Sequence, residues 1–402
     1  LFARSQPDLN WENPQVSAAV HAMMNRWLDR GVDGFRMDVI NLISKDQSFP
    51  DGPVRWDGLG DGAQAYVAGP RIHEFLTEMH DAVFAHRPGT YLTVGEMPGV
   101  TVEQARLFTD PARREVDMVF DFEHVGLDHG PGGKFDVRPL RLTDLKATLG
   151  RWQTGLADVG WTSLYWDNHD QPRIVSRWGD GTPASAKALA TVLHLHRGTP
   201  YVYQGEEIGM TNAGFTSLDD YADLESLRYA SAALGQGWVE EDEVLAGLAA
   251  MSRDNARTPM QWDASQHAGF TTGVPSRPVN PNHVTINVAA QRDDPHSVLA
   301  HYRRLVALRR DDATVALGRF AMLLPDDEHV YAFTRTWADD RLVVVANLTA
   351  QPRAADLGED LTGATVVLTT HQDVRLDGPP LRLRPWEALV LRPAPVSDPA
   401  EP

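Results

Sequence analysis

The chain has 402 residues, 42% of them hydrophobic, and a formal net charge of −18. This length suits one large domain with a smaller one, and the hydrophobic share is ordinary for a globular protein with a substantial core. The acidic charge is spread along the chain without a basic run, which disfavours nucleic acid and anionic membranes as partners. The absence of cysteine excludes disulfides and thiolate chemistry.

The first part of the chain alternates predicted helices with predicted strands. A helix is expected over residues 11–30, where Asn13 and Pro14 favour its start, and residues 31–41 follow as a buried strand that ends in charge. Four further strands are expected within residues 91–96, 116–122, 161–170 and 199–207, with helices at 71–86, 142–156 and 185–196. This alternation predicts right-handed crossovers and a parallel sheet.

After residue 210 the alternation lapses. A long segment at about 211–295 contains two short helical stretches, and a last helix is expected over residues 297–310. From about residue 315 the pattern changes to short strand candidates separated by turn residues, which is typical of an antiparallel sheet. The sequence thus predicts an α/β domain over residues 1–314 and a β-sandwich domain over residues 315–402.

Acidic residues lie at or near the end of each predicted strand of the first domain. They are Asp38, Glu96, Asp121 with Glu123, Asp167 with Asp170, and Glu206 with Glu207. In parallel β/α folds, functional side chains gather beyond the carboxyl ends of the strands. The recurrence therefore favours a common site over a solvated rim.

Arg36 and Asp38 stand two positions apart in the first predicted strand, so their side chains project from the same face. A guanidinium this close favours the ionised form of the carboxylate, and an ionised carboxylate at a strand end can act as a nucleophile. The pair is equally consistent with an ion pair that only closes the sheet, so these residues alone leave both interpretations open.

Five motifs occur in an unbroken order along the chain. They are QPDLN at residues 6–10, GFRMDV at 34–39, VGEMPG at 94–99, NHDQPR at 168–173 and SRDNARTPMQW at 252–262. Together they resemble the motifs of the α-amylase superfamily of glycoside hydrolases, glycoside hydrolase family 13, and within it the branch of oligo-1,6-glucosidases and α-glucosidases. The resemblance implies a (β/α)8 barrel with a retaining active site.

The resemblance assigns a role to three carboxylates. Asp38 matches the nucleophile, Glu96 the general acid/base, and Asp170 the third carboxylate, which binds sugar hydroxyls. A retaining site needs an ionised carboxylate and a protonated carboxyl about 5 Å apart. We expect the negative charge of Asp38 to raise the pKa of Glu96 and so supply the protonated partner.

Further positions match residues that contact the substrate in this family. They are Arg36, Val39, Lys134, His169 and Arg257. For Lys134 a solvated loop lysine is an equally consistent interpretation. The match of Glu225 to a contact with the second sugar is weaker, and an ordinary surface carboxylate is the favoured interpretation there.

Val39 follows Asp38 directly and bears on the preferred linkage. The resemblance associates valine at this position with enzymes that prefer α-1,6 bonds, and threonine or alanine with α-1,4 preference; a core residue without such a role is the alternative. The predicted function is a retaining, exo-acting α-glucosidase that releases terminal α-1,6-linked glucose from isomalto-oligosaccharides. The alternatives are an α-1,4-glucosidase of the same branch, an inactive fragment and a non-catalytic relative.

The motifs begin at what resembles the end of the third β/α unit of the family's barrel. The predicted fold is thus a partial (β/α)8 TIM barrel, strands 4 to 8, followed by an antiparallel all-β C-terminal domain, with the segment at about 211–295 inserted after the eighth strand. By this comparison the chain is N-terminally truncated and is expected to be inactive alone. It is also expected to lack the acidic residue that the family places in the missing segment to bind the terminal glucose together with Arg257.

No cofactor and no metal are expected. The expected partner is a small oligosaccharide, with neither nucleic acid nor membrane, and the full-length protein is expected to be a monomer. Cytoplasm is the expected compartment, because the sequence shows no secretory signal and no apolar run near the ~18 residues of a membrane-spanning helix.

Overall fold

The structure is a computed structural model that describes residues 5–54, 59–374, 376 and 378–394. The chain divides into two units, residues 1–123 with 151–163 and residues 124–150 with 164–402. The predicted outer limits of the two domains, residues 1 and 402, lie outside the described residues.

The first unit alternates helices with parallel strands. Its helices are α1 (Pro14–Leu28), α2 (Ala63–Tyr66), α3 (Ile72–Val83) and α4 (Val102–Phe108), and its strands are β1 (Gly34–Met37), β2 (Leu92–Glu96) and β3 (Met118–Phe120). β1 pairs with β2 and β2 with β3, both in parallel. Val119 and Thr162 form an isolated parallel bridge beside β3. The predicted parallel sheet is therefore confirmed for these strands.

Local sequence signals explain where the helices of the first unit begin. The side chain of Asn13 accepts a hydrogen bond from the Gln15 amide, and Pro14 occupies the first turn of α1, where a missing N–H has no consequence. Thr101 and Gln104 form a capping box at the start of α4. The apolar faces of α1 and α3 belong to one buried core that also includes Met37 of β1.

The chain from residue 124 onward forms a second set of elements. They are β4 (His129–Gly130), β5 (Gly133–Val137), α5 (Leu142–Gly155), β6 (Ser163–Leu164), α6 (Ile174–Arg177), α7 (Pro183–His194), β7 (Thr199–Pro200), α8 (Leu224–Gly235), α9 (Glu241–Met251), α10 (Val288–Gln291), α11 (Val298–Asp311), α12 (Ala313–Leu317), β8 (Arg319–Leu323), β9 (Val330–Trp337), β10 (Asp340–Asn347), β11 (Arg353–Ala355), β12 (Thr365–Thr369), β13 (Leu381–Leu383) and β14 (Ala388–Arg392). The longest helix in the described residues, α1, has 15 residues, and none of the described helices combines the length and apolar character that a membrane crossing requires.

The C-terminal strands form an antiparallel sheet in the order β12-β14-β10-β9-β8, with a separate pair of β11 and β13. Alternation along β10 divides its buried residues between two cores. Val344 and Ala346 belong to the core that includes α7, whereas Val343 and Val345 belong to the core that includes β11 and β13. The predicted antiparallel C-terminal sheet is confirmed, and the domain limits remain predictions.

Two of the predicted strands are much shorter in the structure than their patterns indicate. The stretch 161–170 is extended only at Ser163–Leu164, and the stretch 199–207 only at Thr199–Pro200. Pro200 has no N–H to continue a ladder, and Gly205 with a φ of +91° then starts a 3-10 helix, Glu206–Ile208. Glu206 therefore lies in a 3-10 turn and not at a strand end.

Replacing Gly34 with alanine is expected to disturb the pairing of β1 with β2. A Cβ at Gly34 would lie 1.9 Å from the Leu92 carbonyl oxygen, which belongs to the backbone of β2 and moves only if the strand moves. We expect Gly34→Ala to lower the free energy of unfolding by about 3 kcal/mol in urea denaturation.

Gly31→Ala is the matched control for that substitution. Gly31 has a φ of +95°, but nothing lies within 4 Å of an added Cβ, so only the backbone penalty is expected. That penalty is about 1 kcal/mol. A loss at Gly34 no larger than the loss at Gly31 would show that the close approach of the two strands is not a constraint.

Candidate active site

The predicted site residues fall into two clusters, one in each unit. Arg36, Asp38, Val39 and Glu96 lie in the first unit, and the remaining predicted residues, Lys134, His169, Asp170 and Arg257, lie in the second. Each cluster has its own geometry and its own charge balance.

The pairing of β1 with β2 determines the first cluster. Arg36 is aligned with Val94 and Met37 with Gly95, so the next positions, Asp38 and Glu96, follow at the same end of neighbouring parallel strands. This placement agrees with the expectation that acidic residues meet beyond the carboxyl ends of the strands.

Arg36 binds both carboxylates of the first cluster. Its NH1 lies 2.5 Å from Asp38 Oδ1, and its NH2 lies 2.7 Å from Glu96 Oε1. The Asp38 side chain is 73% exposed, whereas the Glu96 side chain is 9% exposed. One guanidinium thus holds an accessible carboxylate beside a buried carboxyl group.

The environment of Glu96 favours its protonated form. Burial, followed by the hydrogen bond with Asp38, raises the pKa of Glu96 to about 7, although the charge of Arg36 and the Val39 amide oppose the rise. The predicted direction is confirmed. The main cause is different from the one expected, because burial contributes more than the negative charge of Asp38.

Val39 contributes its backbone to this cluster. Its N–H donates to Glu96 Oε2 at 3.2 Å. The residue has a φ of 38° and a ψ of 40°, in the left-handed region that a β-branched residue rarely adopts. The sequence pointed only to the Val39 side chain, whereas the structure shows that its strained backbone directs a donor to the buried carboxyl.

The second cluster brings together His169, Asp170 and Arg257. Arg257 NH2 lies 2.9 Å from Asp170 Oδ1, and Arg257 Nε donates to the His169 carbonyl at 3.0 Å. His169 Nε2 lies 3.5 Å from Asp170 Oδ2. Asp170 and Arg257 are 87 positions apart in the sequence, and the fold joins them in a single network.

Lys134 and Glu225 also join this network. Lys134 Nζ lies 2.8 Å from Glu225 Oε2 and donates to the Asp170 carbonyl at 3.3 Å, and its side chain is only 14% exposed. Burial lowers the pKa of Lys134, and Glu225 opposes that shift. The solvated-lysine interpretation is therefore wrong. The Glu225 side chain is 38% exposed, so Glu225 is a partly exposed carboxylate that pairs with a buried lysine.

Sequence reasoning missed Arg253 and Asp223. Arg253 NH1 lies 3.2 Å from Asp170 Oδ1 and its Nε lies 3.0 Å from Glu225 Oε2. Asp223 Oδ2 lies 2.6 Å from Arg257 NH1. Arg257 therefore has acidic partners within this chain, and the expectation about a further partner in a missing segment remains a prediction.

Weak sequence signals for both missed residues existed. Arg253 lies in the same motif as Arg257, four positions earlier, and Asp223 caps α8 by accepting from the Glu225 amide. In the described residues, no group of three or more His, Asp or Glu side chains is arranged to hold a metal ion.

Comparison with known families matches both parts of the chain. Residues 1–318 match the profile described as "Alpha amylase, catalytic domain", and residues 320–390 match "Maltogenic Amylase, C-terminal domain". The chain belongs to the alpha-amylase family of glycoside hydrolases.

Individual relatives in the alpha-amylase family include two named activities. The chain is 49% identical over 399 residues to an oligo-1,6-glucosidase of Halalkalibacterium halodurans, and the aligned region covers 97% of this chain and 70% of the relative. It is 44% identical over 399 residues to a trehalose-6-phosphate hydrolase of Bacillus subtilis, which covers 98% of this chain and 70% of the relative. The crystal structure of the trehalose-6-phosphate hydrolase of Bacillus licheniformis superposes with a TM-score of 0.90 at 41% identity, covering 97% of this chain and 70% of that one.

The raised pKa of Glu96 makes a prediction about stability. The folded chain has a Glu96 pKa of about 7 against an ordinary value of 4.5, so between these pH values the folded state retains a proton that the unfolded state has lost. The free energy of unfolding therefore falls as pH rises through this window. We expect Glu96→Gln, which has no proton to lose, to be more stable than the parent at pH 8 by on the order of 2 kcal/mol.

Urea denaturation at pH 4.5 and pH 8 is the measurement. The substitution should change stability little at pH 4.5, where both states of the parent approach the protonated form. Glu328→Gln, which removes an exposed carboxylate, is the control and should show no such difference between the two pH values. A stabilisation of Glu96→Gln that is equal at both pH values would contradict the assigned cause.

Proposed function

We propose that this member of the alpha-amylase family is a retaining, exo-acting α-glucosidase that hydrolyses terminal α-1,6-linked glucose in isomalto-oligosaccharides. The arrangement of Arg36, Asp38 and Glu96 carries the proposal. It pairs an exposed carboxylate with a buried carboxyl whose pKa is about 7, and these are the two protonation states that a retaining glycosidase needs.

In the first step, Asp38 attacks the anomeric carbon of the terminal glucose. The bond from that carbon to the glycosidic oxygen breaks, and Glu96 donates its proton to the departing oxygen. The product of this step is a glycosyl ester on Asp38 and a released alcohol. Burial of Glu96 retains the proton near neutral pH, and the exposure of Asp38 leaves its carboxylate accessible to the sugar.

In the second step, the ionised Glu96 takes a proton from a water molecule, and the water oxygen attacks the same anomeric carbon. The ester bond to Asp38 breaks, glucose leaves with its original configuration, and Glu96 is protonated again. The Val39 amide and Arg36 stabilise the ionised form of Glu96 during the interval, because each donates to one of its oxygens.

By the family resemblance, Asp170 and His169 of the second cluster are assigned to binding sugar hydroxyl groups. Asp170 Oδ1 accepts a hydrogen bond from Arg257 and forms an ion pair with Arg253, so its orientation does not depend on the ligand. A carboxylate that is already oriented loses less entropy when it binds a sugar than a mobile one.

The linkage assignment depends on Val39 and on the named activities of relatives. Several relatives are named oligo-1,6-glucosidases. In addition, Val39 directly follows the proposed nucleophile, and the family resemblance associates a valine at this position with α-1,6 preference. An α-1,4-glucosidase is the alternative from the same branch.

A trehalose-6-phosphate hydrolase is a second candidate, since relatives at similar identity have that name. The charge balance of the second cluster argues against it. Lys134, Arg253 and Arg257 could bind a phosphate, but each is already paired with Glu225, Asp170 or Asp223. A phosphate would have to displace or approach these carboxylates, so the cluster favours an uncharged sugar.

We also infer that the parallel strands of this chain are strands of the (β/α)8 barrel that the motifs imply, with residues 315–402 as the following β-sandwich domain. The parallel pairing of β1, β2 and β3, with a helix between successive strands, supports this assignment.

Replacing Asp38 with asparagine in a full-length version is expected to abolish hydrolysis of isomaltose while leaving the thermal unfolding transition in place. An amide cannot form the glycosyl ester, so a loss of at least about 10⁴-fold in kcat is expected. The measurement is glucose release, together with mass spectrometry after a mechanism-based fluoroglucoside inhibitor. Labelling of any residue other than Asp38 would refute the nucleophile assignment.

The preference for an uncharged sugar is tested by comparing isomaltose with trehalose 6-phosphate. We expect the unsubstituted protein, in a full-length version, to hydrolyse isomaltose with the higher kcat/KM. Glu225→Gln leaves Lys134 and Arg253 without one of their counter-charges, and should shift the ratio toward the phosphorylated sugar by about tenfold. Asp219→Asn, which removes an exposed carboxylate, is the control; an equal shift there would show that only net charge matters.

A further inference from the structure

The segment from Asn168 to Arg173 carries two of the proposed substrate-binding residues, His169 and Asp170. Within the segment, Asn168 Oδ1 accepts from the Asp170 amide at 2.7 Å, and the Asn168 carbonyl accepts from the Gln171 amide at 3.3 Å. These are short-range bonds. They shape the turn, but they do not join its two ends.

A carboxyl group outside the proposed chemistry joins those ends. Asp167, immediately before the segment, is 3% exposed, and its Oδ1 accepts from the amide of Ile174, immediately after the segment, at 2.6 Å. The bond closes a loop around His169 and Asp170.

The far end of the loop is anchored a second time. Arg173 is fully buried and donates to the Gln204 carbonyl at 2.5 Å and to the Ala256 carbonyl at 3.2 Å. Ala256 directly precedes Arg257, the partner of Asp170. The hydrogen bond between Asp167 and the Ile174 amide therefore connects the start of the loop to its far end, which Arg173 already holds next to Arg257.

The position of Asp167 is unfavourable for a residue that only fills space. Its Oδ2 is buried and has no hydrogen-bond partner among the described residues, and the same is true of Oε2 of Glu206. Burial raises the pKa of Asp167 to about 7, and burial and the charge of Asp167 raise the pKa of Glu206 well above its ordinary value. Two acidic groups placed together in the interior lower stability, so a specific contribution from Asp167 is needed to explain it.

We propose that Asp167 is a positioning residue for Asp170: its hydrogen bond to the Ile174 amide holds the loop so that Asp170 Oδ1 stays oriented between Arg253 and Arg257. The expected effect of Asp167 on catalysis rests on the proposed function. Its expected effect on the order of the loop from Asn168 to Arg173 rests on the loop geometry alone. Asp167 itself touches no substrate in this account.

Two substitutions of Asp167 separate the hydrogen bond from the charge. Asp167→Asn keeps an oxygen that can accept from Ile174, whereas Asp167→Ala removes the acceptor. We expect the alanine variant to lower kcat on isomaltose about 100-fold with KM changed by less than about threefold, because misplacing a group that acts in the transition state lowers kcat. The asparagine variant should keep kcat within about threefold of the parent.

Tyr302→Phe is the matched control for loss of a buried hydrogen bond. Tyr302 donates to Glu206 Oε1 at 2.7 Å, so Tyr302→Phe removes a buried hydrogen bond but leaves the Asp167 oxygen that accepts from the Ile174 amide. We expect this variant to lower the melting temperature as Asp167→Ala does, yet to keep kcat within about threefold of the parent.

Hydrogen exchange provides a readout that does not depend on catalysis. In Asp167→Ala, the amides of Asp170 and Ile174 should exchange at least about tenfold faster than in the parent, while Asp167→Asn and Tyr302→Phe should leave them unchanged. If the parent hydrolyses no glucoside even in a full-length version but this exchange pattern holds, the proposed function fails and the positioning role stands. If the alanine variant exchanges like the parent, or the asparagine variant loses as much activity as the alanine variant, the positioning role is wrong.

Discussion

The contact of one guanidinium with two carboxylates is the interaction on which the chemistry of the first unit depends. Arg36 reaches Asp38 along its own strand and Glu96 on the neighbouring strand. Such a contact requires β1 and β2 to run in parallel at close range, and Gly34 permits that approach because any side chain there would meet the backbone of β2. The backbone of one strand pair thus determines which carboxyl is exposed and which is buried.

Burial and charge act in opposite directions on Glu96. Removal from water favours the neutral acid, whereas Arg36 and the Val39 amide favour the anion. The balance leaves a pKa of about 7, so the group can give and take a proton near neutral pH. A glutamate with the same neighbours at an exposed position would remain ionised. The strained backbone of Val39 belongs to the same balance, since its conformation aims the amide at Glu96.

The charges of the second cluster are arranged differently, because each of its carboxylates forms an ion pair with a cationic side chain. Asp170 lies between Arg253 and Arg257, and Lys134 is buried against Glu225. Matched pairs of this kind keep polar groups ordered without leaving a net field for an anion. The order of such a network matters more for recognising hydroxyl groups than its total charge does.

The amino-acid sequence by itself determined the features that depend on neighbouring residues. The cap of Asn13 and the alternation of helices with the first parallel strands are local patterns, and the structure has them where they were expected. Tertiary structure decided the rest. The burial that raises the pKa of Glu96, the pairing of Lys134 with Glu225 across 91 positions, and the partners of Arg257 depend on which distant segments meet. Desolvation and ion pairing are properties of that three-dimensional surrounding, and no local pattern of residues encodes them.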